Sequence, residues 1–183
     1  MDGAFRKEVA AARENGELYF ASLLPEDAIN NAYENATPTR LGRIYTPAIT
    51  VWVFLAQILS TDHSCRDAVT QLIAWLVAAG KVTCSAATGA YCIARDKLPE
   101  MVCSNLARYV CKEVEEQAPP EWNWLGHRVL DVDGSTVTMA DTPENQAEYP
   151  QQSTQAPGCG FPIMRILVVF VLSVVTVYRF TPA

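Results

Sequence analysis

Histidine is scarce in this chain: His63 and His127 are the only two in 183 residues. The six cysteines, at positions 65, 84, 92, 103, 111 and 159, include no Cys-x-x-Cys pair. Two histidines are too few for a mixed zinc site unless cysteines dominate it, and these spacings do not suggest that they do. No Gly-x-Ser-x-Gly elbow occurs and neither histidine has a suggestive neighbour, which argues against a serine hydrolase. A phosphate-cradling glycine loop is also missing. The opening "MDGAFRKEVAAARENGE" lacks the apolar core of a secretion signal. A cytoplasmic location with reduced thiols is therefore expected, most of the cysteines serving as small core residues. Internal repeats and low-complexity tracts are absent. The longest late apolar stretch, 166–178, falls short of the roughly twenty residues that span a bilayer, and its valine content favours a strand. That argues against a small membrane-associated protein anchored through 166–178.

What the chain does have is apolar material and an uneven charge. Half of its residues are hydrophobic, enough for a real core. The net charge of −6 argues against a general nucleic-acid binder. Residues 36–112, however, hold eight basic and four acidic side chains, a balance of +4, which leaves −10 for the rest. A basic middle in an acidic chain is compatible with a confined contact to nucleic acid.

The first two thirds read as helices. Residues 5–22 are alanine-rich and charged, with weak helical periodicity. In "LLPEDAINNAYENA", Pro25 suits a first helical position, and Glu26 and Asp27 suit the positive end of the helix dipole. In "TPAITVWVFLAQILS", Thr46 caps and Pro47 starts a helix to about residue 59, apolar nearly all round and hence buried. "SCRDAVTQLIAWLVAAG" opens with Ser64 and Asp67 at capping-box spacing and closes at Gly80. Its inward face is Cys65, Ala68, Val69, Leu72, Ile73 and Leu76. "CSAATGAYCIARDKLP" predicts a short helix capped by Ser85, and 99–117 a longer one with Val102, Leu106, Tyr109, Val110 and Val114 inward. Pro119 and Pro120 end the helical part.

Composition then changes. "HRVLDVDG" and "STVTMA" alternate with period two and predict two strands about Gly134. Residues 141–162 read as loop and turn, with Asp141 and Thr142 as capping residues before Pro143. Residues 163–180 predict one long strand or two. The fold class is α+β: an all-α region over 1–118, a linker over 119–126, and strands over 127–183.

Within the first predicted strand, Asp131 and Asp133 share a side, about 7 Å apart. Carboxylates at a strand end suit a hard cation such as Mg2+, but from spacing alone a solvated sheet face meeting a turn is the commoner arrangement. The helices at 65–79 and 85–98 would place Arg66, Arg95 and Lys97 against phosphates or base edges if they formed a helix-turn-helix. Their linker is longer than the usual three or four residues, and such a pair is more often ordinary helical packing.

Three blocks carry a resemblance: "RIYTPAITVWVFLAQILSTDHSCRDAV", "CSAATGAYCIARDKLPE" and "VDGSTVTMADTPENQAEYPQ" with "PGCGFPI". In this order they resemble bacterial insertion-sequence transposases of the family-four type, over residues 43 to about 170. The resemblance implies a DDE enzyme, with a helical region engaging DNA at transposon terminal inverted repeats and then an RNase H-like core. In that core two aspartates and a glutamate hold Mg2+ for phosphodiester cleavage and strand transfer. It puts the first aspartate on Asp133. Asp131 has no counterpart, and at Asp141 a Pro-Asp-Thr-Pro motif has Ala140 in place of its first proline. It further implies that the second aspartate and the glutamate lie beyond residue 183, and "VLSVVTVYRFTPA" departs from the family. The expectation is an incomplete RNase H-like core, inactive alone, with DNA and self or full-length transposase as partners. The alternative is a non-catalytic DNA- or transposase-binding module acting as an inhibitor.

Overall fold

The computed structural model describes residues 20–21, 23–36, 42–156 and 158–182. The helix expected over 5–22 lies outside them, apart from a turn at Phe20 and Ala21. The chain is α+β, with helices first and a three-stranded antiparallel sheet after them. It divides into two compact units, Met1–Leu106 and Ala107–Ala183. The division falls inside a helix, upstream of the composition change at 119–126.

In the first unit α1 spans Glu26–Glu34, α2 Pro47–Leu59, α3 Cys65–Ala78 and α4 Gly89–Asp96; α5, Glu100–Gln117, begins there. Capping chemistry sets the starts of α2 and α3. Thr46 Oγ1 accepts from Ile49 N at 3.3 Å, and Ser64 Oγ accepts from Asp67 N at 3.1 Å. Gly80, just past α3, has φ 64°, the left-handed conformation that ends helices without a Cβ penalty. Because α2 is apolar nearly all round, it can bury more than one face, and it contacts α1, α3 and α4. Around it, Tyr45, Val53, Val69, Leu72, Leu76 and Tyr91 form one buried cluster. Trp52 Nε1 donates to Leu24 O at 3.0 Å and so ties α2 to the chain entering α1.

Ser85 does not cap α4. The helix starts four residues later, after Thr88, and Ser85 Oγ instead accepts from Ala87 N at 3.2 Å. A serine two residues before an N–H closes a local turn of its own, which competes with helix initiation. On α5, Val102, Leu106 and Cys111 are buried, while Val114, expected inward, is exposed. Of the cysteines only Cys111 is buried; Cys65, Cys84 and Cys92 are half-buried and Cys103 and Cys159 exposed, all six being free thiols. The expectation that most cysteines would be core residues is corrected accordingly.

The second unit is a meander in the order β1-β2-β3: β1 Leu130–Thr138, β2 Ile163–Val171, β3 Thr176–Pro182. The two strands expected about Gly134 are one, paired without a break from Leu130↔Val171 to Thr138↔Ile163. Gly134 faces Leu167, and the continuous ladder with β2 outweighs the weakening a mid-strand glycine brings. Residues 166–178 divide between β2, a turn and β3, so they form no helical anchor. Among the described residues no helix is long and apolar enough to cross a membrane.

The β1–β2 connection, read from sequence as loop and turn, also carries a short helix, α6 (Pro143–Glu148), capped by Thr142 Oγ1 on Asn145 N at 3.2 Å. Asp141 does not share the capping. Its Oδ1 accepts from Gln146 Nε2 at 2.8 Å. Gln151 draws the rest of the connection together: its Oε1 accepts from Gly158 N and Gly160 N, both at 3.1 Å. Its Nε2 donates to Ala156 O at 2.8 Å and Gln155 O at 3.2 Å.

Candidate functional site

Strand alternation puts Asp131 and Asp133 on one side of β1, and both carboxylates are exposed. Asp133 Oδ1 accepts from Gly134 N at 2.8 Å, so the carboxylate is steadied by its own backbone and not absorbed into a core network. A Cβ built on Gly134 would meet only Leu167 Cδ2, at 3.8 Å, an ordinary contact. Neither backbone conformation nor crowding therefore requires glycine here. Its missing side chain leaves space on the side of β1 opposite Asp133, the side that carries Leu130, Val132 and Leu167. Among the described residues β1 is an edge strand, with β2 on one side only. Its apolar side is open too: Leu130 is 43% and Val132 60% exposed.

The donor type at Asp133 suits magnesium, a hard cation that prefers carboxylate oxygen. The described residues, however, bring together no group of three or more His, Cys, Asp or Glu able to hold a metal. Asp133 fits as one ligand of such a centre and does not make the centre.

The three basic candidates lie in the helical unit and differ in circumstance. Arg66, at the second position of α3, and Lys97, just after α4, are exposed. Arg95 is turned into the unit. Its Nη1 donates to Gln57 Oε1 at 3.2 Å and to Cys65 Sγ at 3.8 Å, and its guanidinium lies 5.8 Å from the ring centroids of both Phe54 and Tyr91. Between α3 and α4 the chain runs from Ala79 to Thr88, too long for the turn of a helix-turn-helix.

Sequence reasoning missed Gln57. It is buried in the apolar helix α2, where an unpaired amide would be costly, and every donor and acceptor it offers is used. Besides the Arg95 bond, Oε1 accepts from Tyr91 OH at 2.6 Å; Nε2 donates to His63 O at 2.8 Å and lies 3.5 Å from Cys65 Sγ. Burial pushes the Tyr91 phenol up to about 12, against the opposing pull of Arg95. A lone glutamine inside "VWVFLAQIL" was the available signal.

The second unit has an ion pair that bears on its shape. Arg128 makes a two-pronged contact with Glu115, Nε to Oε1 at 2.6 Å and Nη2 to Oε2 at 2.9 Å, and its guanidinium lies 4.6 Å from the Tyr178 ring centroid. The hydrogen bonds from Arg128 hold the Glu115 carboxyl below its usual range.

Among the described residues, fold and site together give an α+β protein whose antiparallel meander presents two carboxylates on one face of an edge strand. No family model, curated protein or solved structure matches the chain.

Proposed function

We propose that this chain is the DNA-engaging and core-opening part of a DDE transposase, with Asp133 as the first carboxylate of an RNase H-like metal centre. The observation that carries the reading is Asp133 itself: an exposed carboxylate on an edge strand, steadied by the N–H of Gly134. A bound magnesium would supply Lewis-acid activation of water or a DNA 3′-hydroxyl. Arg66 and Lys97, both exposed, are assigned to phosphate contact. Arg95 is assigned to holding α2, α3 and α4 in the arrangement that presents them, since its Nη1 serves Gln57 and Cys65. One carboxylate fills one or two of magnesium's six positions, so this chain alone is expected to bind transposon-end DNA without cutting it.

A gel-shift assay on terminal inverted-repeat duplexes, with and without Mg2+, tests the reading. Expected is a shifted complex over unrelated duplex of equal length, weakened about tenfold when Arg66 and Lys97 are both replaced by alanine. Equal retention of repeat and unrelated DNA, or no retention, refutes it. Asp133→Asn should leave DNA binding within about twofold in the absence of metal while removing any Mg2+-dependent increase. A Mg2+ effect that survives Asp133→Asn rules out the assigned role of that carboxylate. The non-catalytic inhibitor reading shares the binding result, and is separated by asking whether the chain lowers cleavage by an active transposase on the same ends.

A further inference from the structure

Cys65 opens α3 and Cys92 lies in α4, and their sulfurs are 3.9 Å apart. Both side chains are half-buried, reachable by a small molecule yet held by their helices. The surroundings of the two differ. On Cys65 Sγ converge Gln57 Nε2 at 3.5 Å, Arg95 Nη1 at 3.8 Å and the Cys92 thiol. Cys65 Sγ is thus the acceptor of three contacts, one of them from a guanidinium, whereas the Cys92 thiol donates to it. The remaining thiols are engaged or placed otherwise. Cys84 Sγ pairs with Tyr45 OH at 3.7 Å, and Cys111 Sγ lies 3.6 Å from Glu115 Oε2.

We propose that Cys65 and Cys92 form a redox-active pair that closes to a disulfide, with Cys65 as the attacking sulfur and Cys92 as the resolving one. The co-substrate is a small disulfide of the oxidised-glutathione class. Cys65 gives its proton to solvent and attacks one sulfur of that disulfide, forming a mixed disulfide and expelling one small thiolate. Cys92 gives its proton to solvent and attacks the Cys65 sulfur, forming the Cys65–Cys92 bond and expelling the second small thiolate. Two protein thiols give up two electrons and two protons, and the small disulfide is reduced to two thiols. Closure brings the sulfurs from 3.9 Å to about 2.05 Å. It joins the first turn of α3 to α4 across the long connection between them, and draws the sulfur away from Arg95 and Gln57. The proposal is independent of the DNA reading.

The test equilibrates the full chain in glutathione buffers of stepped potential, quenches it with an alkylating agent and maps the peptides by mass spectrometry. Expected is the paired loss of two thiols per chain and a bridged peptide containing Cys65 and Cys92. Cys92→Ser should trap glutathione on Cys65, and Cys65→Ser should slow glutathione addition at Cys92 at least tenfold. The oxidised chain should melt at least about 5 °C above the reduced one. A bridge through Cys84 or Cys111, glutathione added separately to both residues without a bridge, or no paired loss at any potential overturns the proposal. The map on the unsubstituted chain decides, whatever becomes of the serine variants. Exposed Cys103 and Cys159 are replaced by serine in a parallel run, and the same bridge is expected there; its disappearance also overturns the proposal.

Discussion

At the scale of single residues, the helical unit is organised around an uncharged side chain. Gln57 takes hydrogen bonds from Tyr91 and Arg95 through one oxygen and returns one to the backbone at His63. Tyr91 belongs to this arrangement as the neutral phenol, so its folded-state value lies above the ordinary 10.0, at about 12. A raised acid means that the folded chain holds its proton longer than the unfolded chain does. Its contribution to stability is full below pH 10 and drains away as pH rises from 10 toward 12. Thermal melts across that window should fall less steeply for Tyr91→Phe than for the unsubstituted chain; parallel declines would show that this phenol carries no linkage. The alkaline decline should not vanish in the variant, because burial also raises Tyr45, beside Cys84. None of these partnerships is readable from spacing. Gln57 and Tyr91 are 34 positions apart and Cys65 and Cys92 are 27, and only packing brings either pair together.

At the scale of elements, local chemistry was readable where one side chain decides a boundary. Thr46 and Ser64 each accept from the N–H three residues on, and both cap the helices that begin after them. Ser85 has the right residue type but spends its hydroxyl on Ala87, so α4 begins without a side-chain cap. This predicts unequal costs. Ser64→Ala should lower stability by about 1 kcal/mol in urea unfolding and Ser85→Ala by less than about 0.5 kcal/mol. Equal losses would mean that the two hydroxyls do the same work. Gly134 misled the reading in the other direction. A glycine between alternating runs looks like a turn, yet β2 offers nine consecutive pairing partners and the strand runs through. For the candidate site, Asp133 enters through the family resemblance and not through spacing, and its place on an edge strand is set by the pairing of the whole meander.

At the scale of the molecule, burial is unevenly shared between the two units. The helical unit has most of the buried side chains, whereas Leu130, Val132 and Leu167 in the strands stay exposed. Exposed apolar side chains on a sheet whose described residues leave an edge strand are a template for association with other chains. The helical region shortened to end at Ala118 should therefore remain monomeric at concentrations where all 183 residues self-associate, as read by light scattering. Greater association of the shortened chain would locate the exposed surface in the helices. The α+β class followed from the order of periodicities, helical before Pro119 and period two after it. Where the chain divides was not readable, because the division falls at Leu106 inside α5, where no proline, glycine or change of composition marks it.

The segment joining β1 to β2 is held at its far end by the amide of Gln151, which receives two backbone N–H groups and gives to two carbonyls. An amide neither gains nor loses a proton between mild acid and mild alkali, and it attracts no counterions. The Arg128–Glu115 pair loses its grip once the carboxylate is protonated, and added electrolyte weakens it as well. The Gln151 clamp is indifferent to both, so this stretch of backbone should keep its shape under conditions that loosen the ionic contact in the same unit.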